Sequence, residues 1–107
     1  MNKTKETITL PNDMLEELDN ELKVLVMLYW ITKVEAEPCW FTRVVERTGL
    51  QRSEVSRAQD RLDDLGLIYE KYETVGKTYT NCWHLEDEAE AFVKELTNAF
   101  IAKKIME

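Results

Sequence analysis

The sequence predicts an α+β domain in which three helices, a β-hairpin and a C-terminal helix follow one another. The first observation is the stretch Thr48 to Gly66, T-G-L-Q-R-S-E-V-S-R-A-Q-D-R-L-D-D-L-G. A Thr-Gly-Leu corner there leads into a run on which Val55, Ala58, Leu62 and Leu65 recur at helical spacing as an apolar stripe. At 100° per residue the opposite face carries Ser53, Ser56, Arg57 and Asp60. Gly49 and Gly66 close the helices before and after that corner. The second observation is that Leu67 to Leu85 is rich in β-branched and aromatic residues with a glycine near its middle. The third is that all three glycines and both prolines fall at joints between the proposed elements. A short helix, a glycine turn and a second helix with small polar and Arg residues at its start is a helix-turn-helix pattern.

The 107 residues make one domain with a modest core. Hydrophobic residues at 44% and charged residues at 33% exclude a disordered or fibrous chain. The first ten residues are polar and mixed in charge, which predicts no signal peptide. The longest apolar run, Val24 to Ile31, falls far short of a membrane span. Two cysteines 43 positions apart without an export signal predict free thiols and a cytoplasmic location.

The net charge of −7 argues at first against a nucleic-acid partner. Its distribution argues otherwise. The acidic excess lies in residues 1–39 and 86–107, whereas residues 40–85 hold seven basic and seven acidic residues. All five arginines (Arg43, Arg47, Arg52, Arg57 and Arg61) fall inside that neutral middle. An acidic frame around an Arg-bearing centre can still present a local cationic face.

In chain order, residues 1–10 read as an N-terminal arm, frayed to Glu6 and extended over Thr7 to Leu10. Residues 11–107 form the domain. Asp13, with Glu16 three residues on, has capping-box spacing and starts a helix that runs to about Lys33. Its second half is apolar all round, which predicts burial against a partner copy. Helices over 11–34 and 87–106 are therefore expected to form a homodimer interface. A short second helix spans about Cys39 to Thr48, with Trp40 or Phe41 inward together with Val44 and Val45, and Arg43, Glu46 and Arg47 outward. The third helix spans about Arg52 to Leu65. The strands are Leu67 to Glu73 and Lys77 to Leu85, joined by Thr74-Val75-Gly76. The last helix, Asp87 to Met106, carries an apolar stripe of Ala89, Phe92, Val93, Leu96, Phe100 and Ile105, with acidic residues at its start and lysines near its end.

The stretch R-T-G-L-Q-R-S-E-V-S-R-A-Q-D-R-L-D-D-L-G-L-I-Y-E resembles the core of winged helix-turn-helix transcriptional regulators of the broad MarR-like and TrmB-like group. The matching parts are T-G-L at the turn, S-E-V-S-R on the recognition helix, R-L-x-x-L-G-L-I into the wing and a Gly-Lys wing tip. The resemblance covers about Trp40 to Leu85. It implies a recognition helix in the DNA major groove and a wing on the backbone or minor groove. By position it makes Arg52, Ser53, Ser56 and Arg57 base-reading candidates and Lys77 and Lys71 wing candidates; Arg43 and Arg61 complete the cationic set. Two features depart from the pattern. Asp60 and Asp64 lie on the outward face of the third helix, and the wing carries Glu70 and Glu73 beside its lysines.

Each of these signals has a plainer reading. Arg57 with Asp60 at i, i+3 is also what a solvated, ion-paired helix face looks like. Cys82 and His84 at i, i+2, with Cys39 as a possible third, have metal-capable donors but no CxxC or HxxxH spacing, so no metal or other cofactor is expected. The arm T-I-T-L-P-N-D-M-L-E-E-L also resembles the opening of ribbon-helix-helix repressors, but the helix after it is too long and the ribbon lacks basic residues. The three tryptophans sit at apolar positions and read as core. One histidine, no Gly-rich phosphate loop and scattered carboxylates give no catalytic constellation, so no enzyme is expected. The resemblance thus implies a homodimeric, sequence-specific regulator binding double-stranded DNA. The alternative is a winged-helix protein–protein interaction module without DNA binding.

Overall fold

The computed structural model describes residues 18–106, and its first helix, α1 (Asn20–Tyr29), begins at a side-chain cap. Asp19 has extended backbone, and its Oδ1 accepts the Leu22 N–H at 3.0 Å, which satisfies one of the unpaired amides of a helix start. Of the helix expected over 13–33, the described part therefore begins only at Asn20. The capping pair Asp13–Glu16 and the arm over 1–10 lie outside the described residues.

The end of α1 also departs from expectation. The chain widens into a π-helical turn (Trp30–Val34), with the Glu35 N–H reaching the Trp30 carbonyl at 2.9 Å. Thr32 Oγ1 donates to the Leu28 carbonyl at 2.7 Å, a local bond that competes with the regular ladder just before the turn. Ala36 then takes a left-handed φ of 55°, and the Glu37 N–H closes back onto the Ile31 carbonyl at 2.9 Å.

Three further helices and a hairpin follow: α2 (Phe41–Thr48), α3 (Arg52–Asp64), β1 (Ile68–Val75), β2 (Thr78–Leu85) and α4 (Asp87–Met106). The apolar run of α1 is the centre of the core. Val24, Val26, Leu28 and Ile31 are fully buried, and α2, α3, α4 and β2 all pack on this helix. This corrects the expectation that Val24 to Ile31 needs a second chain to cover it. A ten-residue helix is short enough for four neighbours of its own chain to cover these side chains.

The corner between α2 and α3 forms as the sequence predicts. Gly49 adopts φ 76°, its N–H bonds the Val45 carbonyl at 3.0 Å, and Thr48 Oγ1 donates to the Val44 carbonyl at 2.7 Å. A reciprocal capping box starts α3: Gln51 accepts from the Glu54 backbone, and Glu54 Oε1 accepts the Gln51 N–H at 2.9 Å. Val55, Ala58 and Leu62 face the core as expected, and Gln59 joins them. Leu65 does not: it is 68% exposed, because α3 ends at Asp64 and the Leu67 N–H turns the chain back to the Leu62 carbonyl at 3.0 Å.

The hairpin is an antiparallel ribbon in which Ile68 faces Leu85 and Val75 faces Thr78. Thr74 and Val75, expected in the loop, continue the strand instead, and the loop is Gly76-Lys77. Gly76 has φ 64° and Lys77 is not left-handed, the pattern of a II′ turn, whose twist matches that of the strands. The far edge of β2 is held by a bridge between Trp40 and Cys82 and by the Trp83 N–H, which donates to the Cys39 carbonyl at 2.7 Å. On α4 the buried face is Ala89, Val93 and Thr97, with Leu96 and Phe100 half-buried. Phe92 is half-exposed rather than inward, since one residue of offset from Val93 turns it by 100°. Among the described residues no helix is long and apolar enough to cross a membrane.

Candidate nucleic-acid interface

The apolar stripe of α3 fixes its opposite face in solvent. Arg52, Ser53, Ser56 and Arg57 are all exposed and share the first two turns of the helix. Arg52 is steadied from below, its guanidinium lying 4.8 Å from the centre of the Phe41 ring. Arg57 is the freest cation of the group. Among the described residues it forms no salt bridge, so the Arg57–Asp60 pairing of a merely solvated helix face is not made.

Arg57 borders a cleft of about 490 Å³ whose other residues include Asp19, Glu21 and Glu54. Each of these carboxylates has its own partner. Asp19 caps Leu22, Glu54 caps Gln51, and Glu21 accepts Arg61 Nε at 3.2 Å.

The remaining sequence-predicted cations are placed differently. Arg61 is exposed but tied to Glu21. Arg43 is folded back onto its own loop: Nη1 donates to Glu37 Oε1 and to the Pro38 carbonyl, both at 2.9 Å, and the guanidinium lies 4.3 Å over the Trp40 ring. Lys77 stands at the hairpin turn, and Lys71 on the outer face of β1; both are exposed. The structure thus gathers Arg52, Ser53, Ser56 and Arg57 on one helix face and draws Arg43 and Arg61 into contacts of the fold.

The acidic departures also resolve into two kinds. Asp60, Asp63 and Asp64 are exposed on the second half of α3. The hairpin carboxylates are engaged: Glu70 accepts from Asn81 Nδ2, and Glu73 meets His84 Nε2. His84 stacks on Tyr69 with ring centres 5.3 Å apart.

Cys39 and Cys82 are free and fully buried. Burial pushes the Cys39 thiol up to about 12 and raises the Cys82 thiol as well, so both are neutral sulfhydryls near neutral pH. Among the described residues no group of three or more His, Cys, Asp and Glu side chains is placed to hold a metal ion.

Sequence reading missed Gln59, which lies inside the domain on the recognition-type helix. Its spacing to Val55 and Leu62 marked the inward face, but its polarity hid the assignment.

No protein-family model and no curated protein matches this chain. Solved structures do. A variant of ZitR from Lactococcus lactis superposes with a TM-score of 0.62 at 16% identity, over 82% of this chain and 57% of that one. The MarR family transcriptional regulator SPO1453 from Silicibacter pomeroyi gives 0.63 at 19% identity, over 87% and 62% of the two chains. AF1382 from Archaeoglobus fulgidus gives 0.66 at 14% identity, over 88% and 97%. The chain spans 57% of the length of ZitR and 62% of that of SPO1453. At these identities the likeness is one of fold, and it agrees with the element order, the glycine corner and the hairpin. The chain has the winged helix-turn-helix fold found in MarR-family regulators.

Proposed function

We propose that this protein is a transcriptional regulator that binds double-stranded DNA sequence-specifically as a homodimer, occupying a two-fold symmetric site. The observation that carries the reading is the exposed start of α3, where Arg57 stands without a carboxylate partner beside Ser53 and Ser56. An Arg fork matches the O6 and N7 acceptors of guanine, and serines allow the helix backbone to approach the groove floor. Arg52, steadied on Phe41, is suited to a phosphate at the groove edge. The fold shared with a MarR family transcriptional regulator supports the same assignment.

With Val24 to Ile31 buried inside the chain, α4 carries the proposed dimer contact. Its exposed Phe92, Ile105 and Met106 offer apolar surface. Acidic Asp87, Glu88 and Glu90 at one end and Lys103 near the other favour antiparallel packing of two copies. Two recognition helices related by a two-fold axis would then read half-sites about 34 Å apart.

The second reading, a winged-helix module that binds protein instead of DNA, is favoured by exposed Asp60, Asp63 and Asp64 and by the net charge of −7. Anisotropy of a labelled mixed-sequence duplex at low salt, with retention on heparin, separates the two. Saturable binding that weakens steeply with salt supports DNA; no binding at low salt supports the protein module. Crosslinking the protein to its own genome then supplies the specific site.

A further inference from the structure

An apolar groove of about 370 Å³ opens where the start of α1, the end of α3 and the start of α4 meet. Buried Leu25, Leu62 and Ala89 lie at its bottom, and Leu65 and Phe92 flank it at 68% and 51% exposure. The stop of α3 and the phase of α4 explain how these two side chains come to be exposed. Together they leave a contiguous apolar strip in water, the kind of surface that marks a contact. The polar side chains of the groove are all carboxylates, those of Asp19, Glu21 and Glu88. Asp19 caps Leu22 and Glu21 pairs with Arg61, whereas Glu88 forms no salt bridge among the described residues. No side-chain donor lines the groove, so it lacks the convergent polar groups that orient a small molecule. An apolar bottom with acidic edges fits an apolar segment that carries basic residues.

The chain holds a segment of that composition. In M-N-K-T-K-E-T-I-T-L, residues 1–10, Lys3 and Lys5 come ahead of the apolar Ile8 and Leu10. The stretch is joined to the structure at the groove itself: the described residues start at Leu18, and Asp19 already lines the groove. From Asp19 to Leu25 is about 9 Å along α1, and the residues between Leu10 and Asp19 can span up to roughly 30 Å, so the segment has length to turn back. A tethered segment also meets its site at an effective concentration on the order of millimolar, which a separate protein does not match.

We infer that the N-terminal segment Lys3 to Leu10 folds back into this groove of its own chain, with Ile8 and Leu10 against Leu25, Leu65 and Phe92 and the two lysines at the carboxylates of the edge. Leu62 lies on α3 and Leu65 at its C-cap, so the docked segment braces that helix from behind its exposed face. It also takes up Phe92 within the chain and leaves Ile105 and Met106 of α4 for a contact between copies. The docking is independent of DNA binding.

The test uses the full chain in two ways. Urea unfolding compares Ile8→Ala/Leu10→Ala, Leu65→Ala/Phe92→Ala and the four-fold variant. Leu65 and Phe92 are exposed in the groove, so their loss leaves the fold intact. The expected result is that each pair lowers the urea midpoint and that the combined shift falls well short of the sum, as for side chains in contact. Additive shifts, or no shift from either pair, overturn the inference and leave the groove to another molecule. The second measurement needs no variant. A carbodiimide, which joins an amine to a carboxylate in direct contact, is applied to isotope-labelled and unlabelled chains that have been unfolded and refolded together. A link from Lys3 or Lys5 to Glu88 within chains of one label is expected. Links only between chains of different label overturn the inference and give the groove to the segment of a second copy, and the absence of any link to Glu88 overturns it as well.

Discussion

Arg47 at the end of α2 donates to both oxygens of Glu35, at 2.9 and 2.7 Å, and so ties the helix before the turn to the loop that follows the π-helical turn. This parallel fork is the geometry in which an Arg–carboxylate pair is strongest. The hydrogen bonds from Arg47 hold the Glu35 carboxyl below its ordinary value of 4.5 against the opposing effect of partial burial. Because the folded pKa is the lower one, the contribution is present above about pH 4.5 and is lost as pH falls through the folded value. Glu35→Gln should therefore lower stability at pH 7 by roughly 0.5–1 kcal/mol, a value discounted for partial exposure, and the difference from wild type should shrink in acid. Urea unfolding at pH 7 and pH 3.5 measures both.

Met27 lies within the core of the single chain, at 2% exposure. Met27→Ala should lower the unfolding free energy by about 2–5 kcal/mol through lost burial and the cavity left behind. If the loss is confined to the single chain, sedimentation of the folded variant matches that of the wild type. A variant that unfolds normally but no longer self-associates would return Val24 to Ile31 to an interface.

The buried thiols give a chemical readout. With its pKa pushed to about 12, Cys39 has almost no thiolate at pH 8 and is shielded from solvent. An aromatic disulfide reagent should label neither Cys39 nor Cys82 at a measurable rate in the native protein and should label both in denaturant. Rapid native labelling of Cys39 would show that the bridge between Trp40 and Cys82 opens readily in solution.

Much of this arrangement is legible in the sequence because its causes are local. Gly49 between two periodic runs, the Gly-Lys turn and the aromatic strands each act over a few residues, and the helices and ribbon appear where these predict. Phase at helix ends is less legible. Leu65 and Phe92 have the right polarity for the core but fall one step outside it, because a helix stop or a one-residue offset is decided by packing. The burial of α1 depends on how many elements surround it, which no window of sequence contains. The cation set is hardest to read. Arg61 pairs with Glu21 and Arg43 with Glu37, and only the fold shows that Arg57 forms no salt bridge among the described residues.

The central claim is that the start of α3 reads bases, and Arg57→Ala tests it most directly. Anisotropy is measured for the genomic site and a scrambled duplex across a salt series, with Lys94→Ala on the exposed side of α4 as the control. A guanine-reading Arg57 predicts a loss of about 1–3 kcal/mol on the specific site and almost none on the scrambled one. If Arg57→Ala weakens neither duplex more than Lys94→Ala does, α3 is not the reader, and the protein-interaction module becomes the better account of this fold.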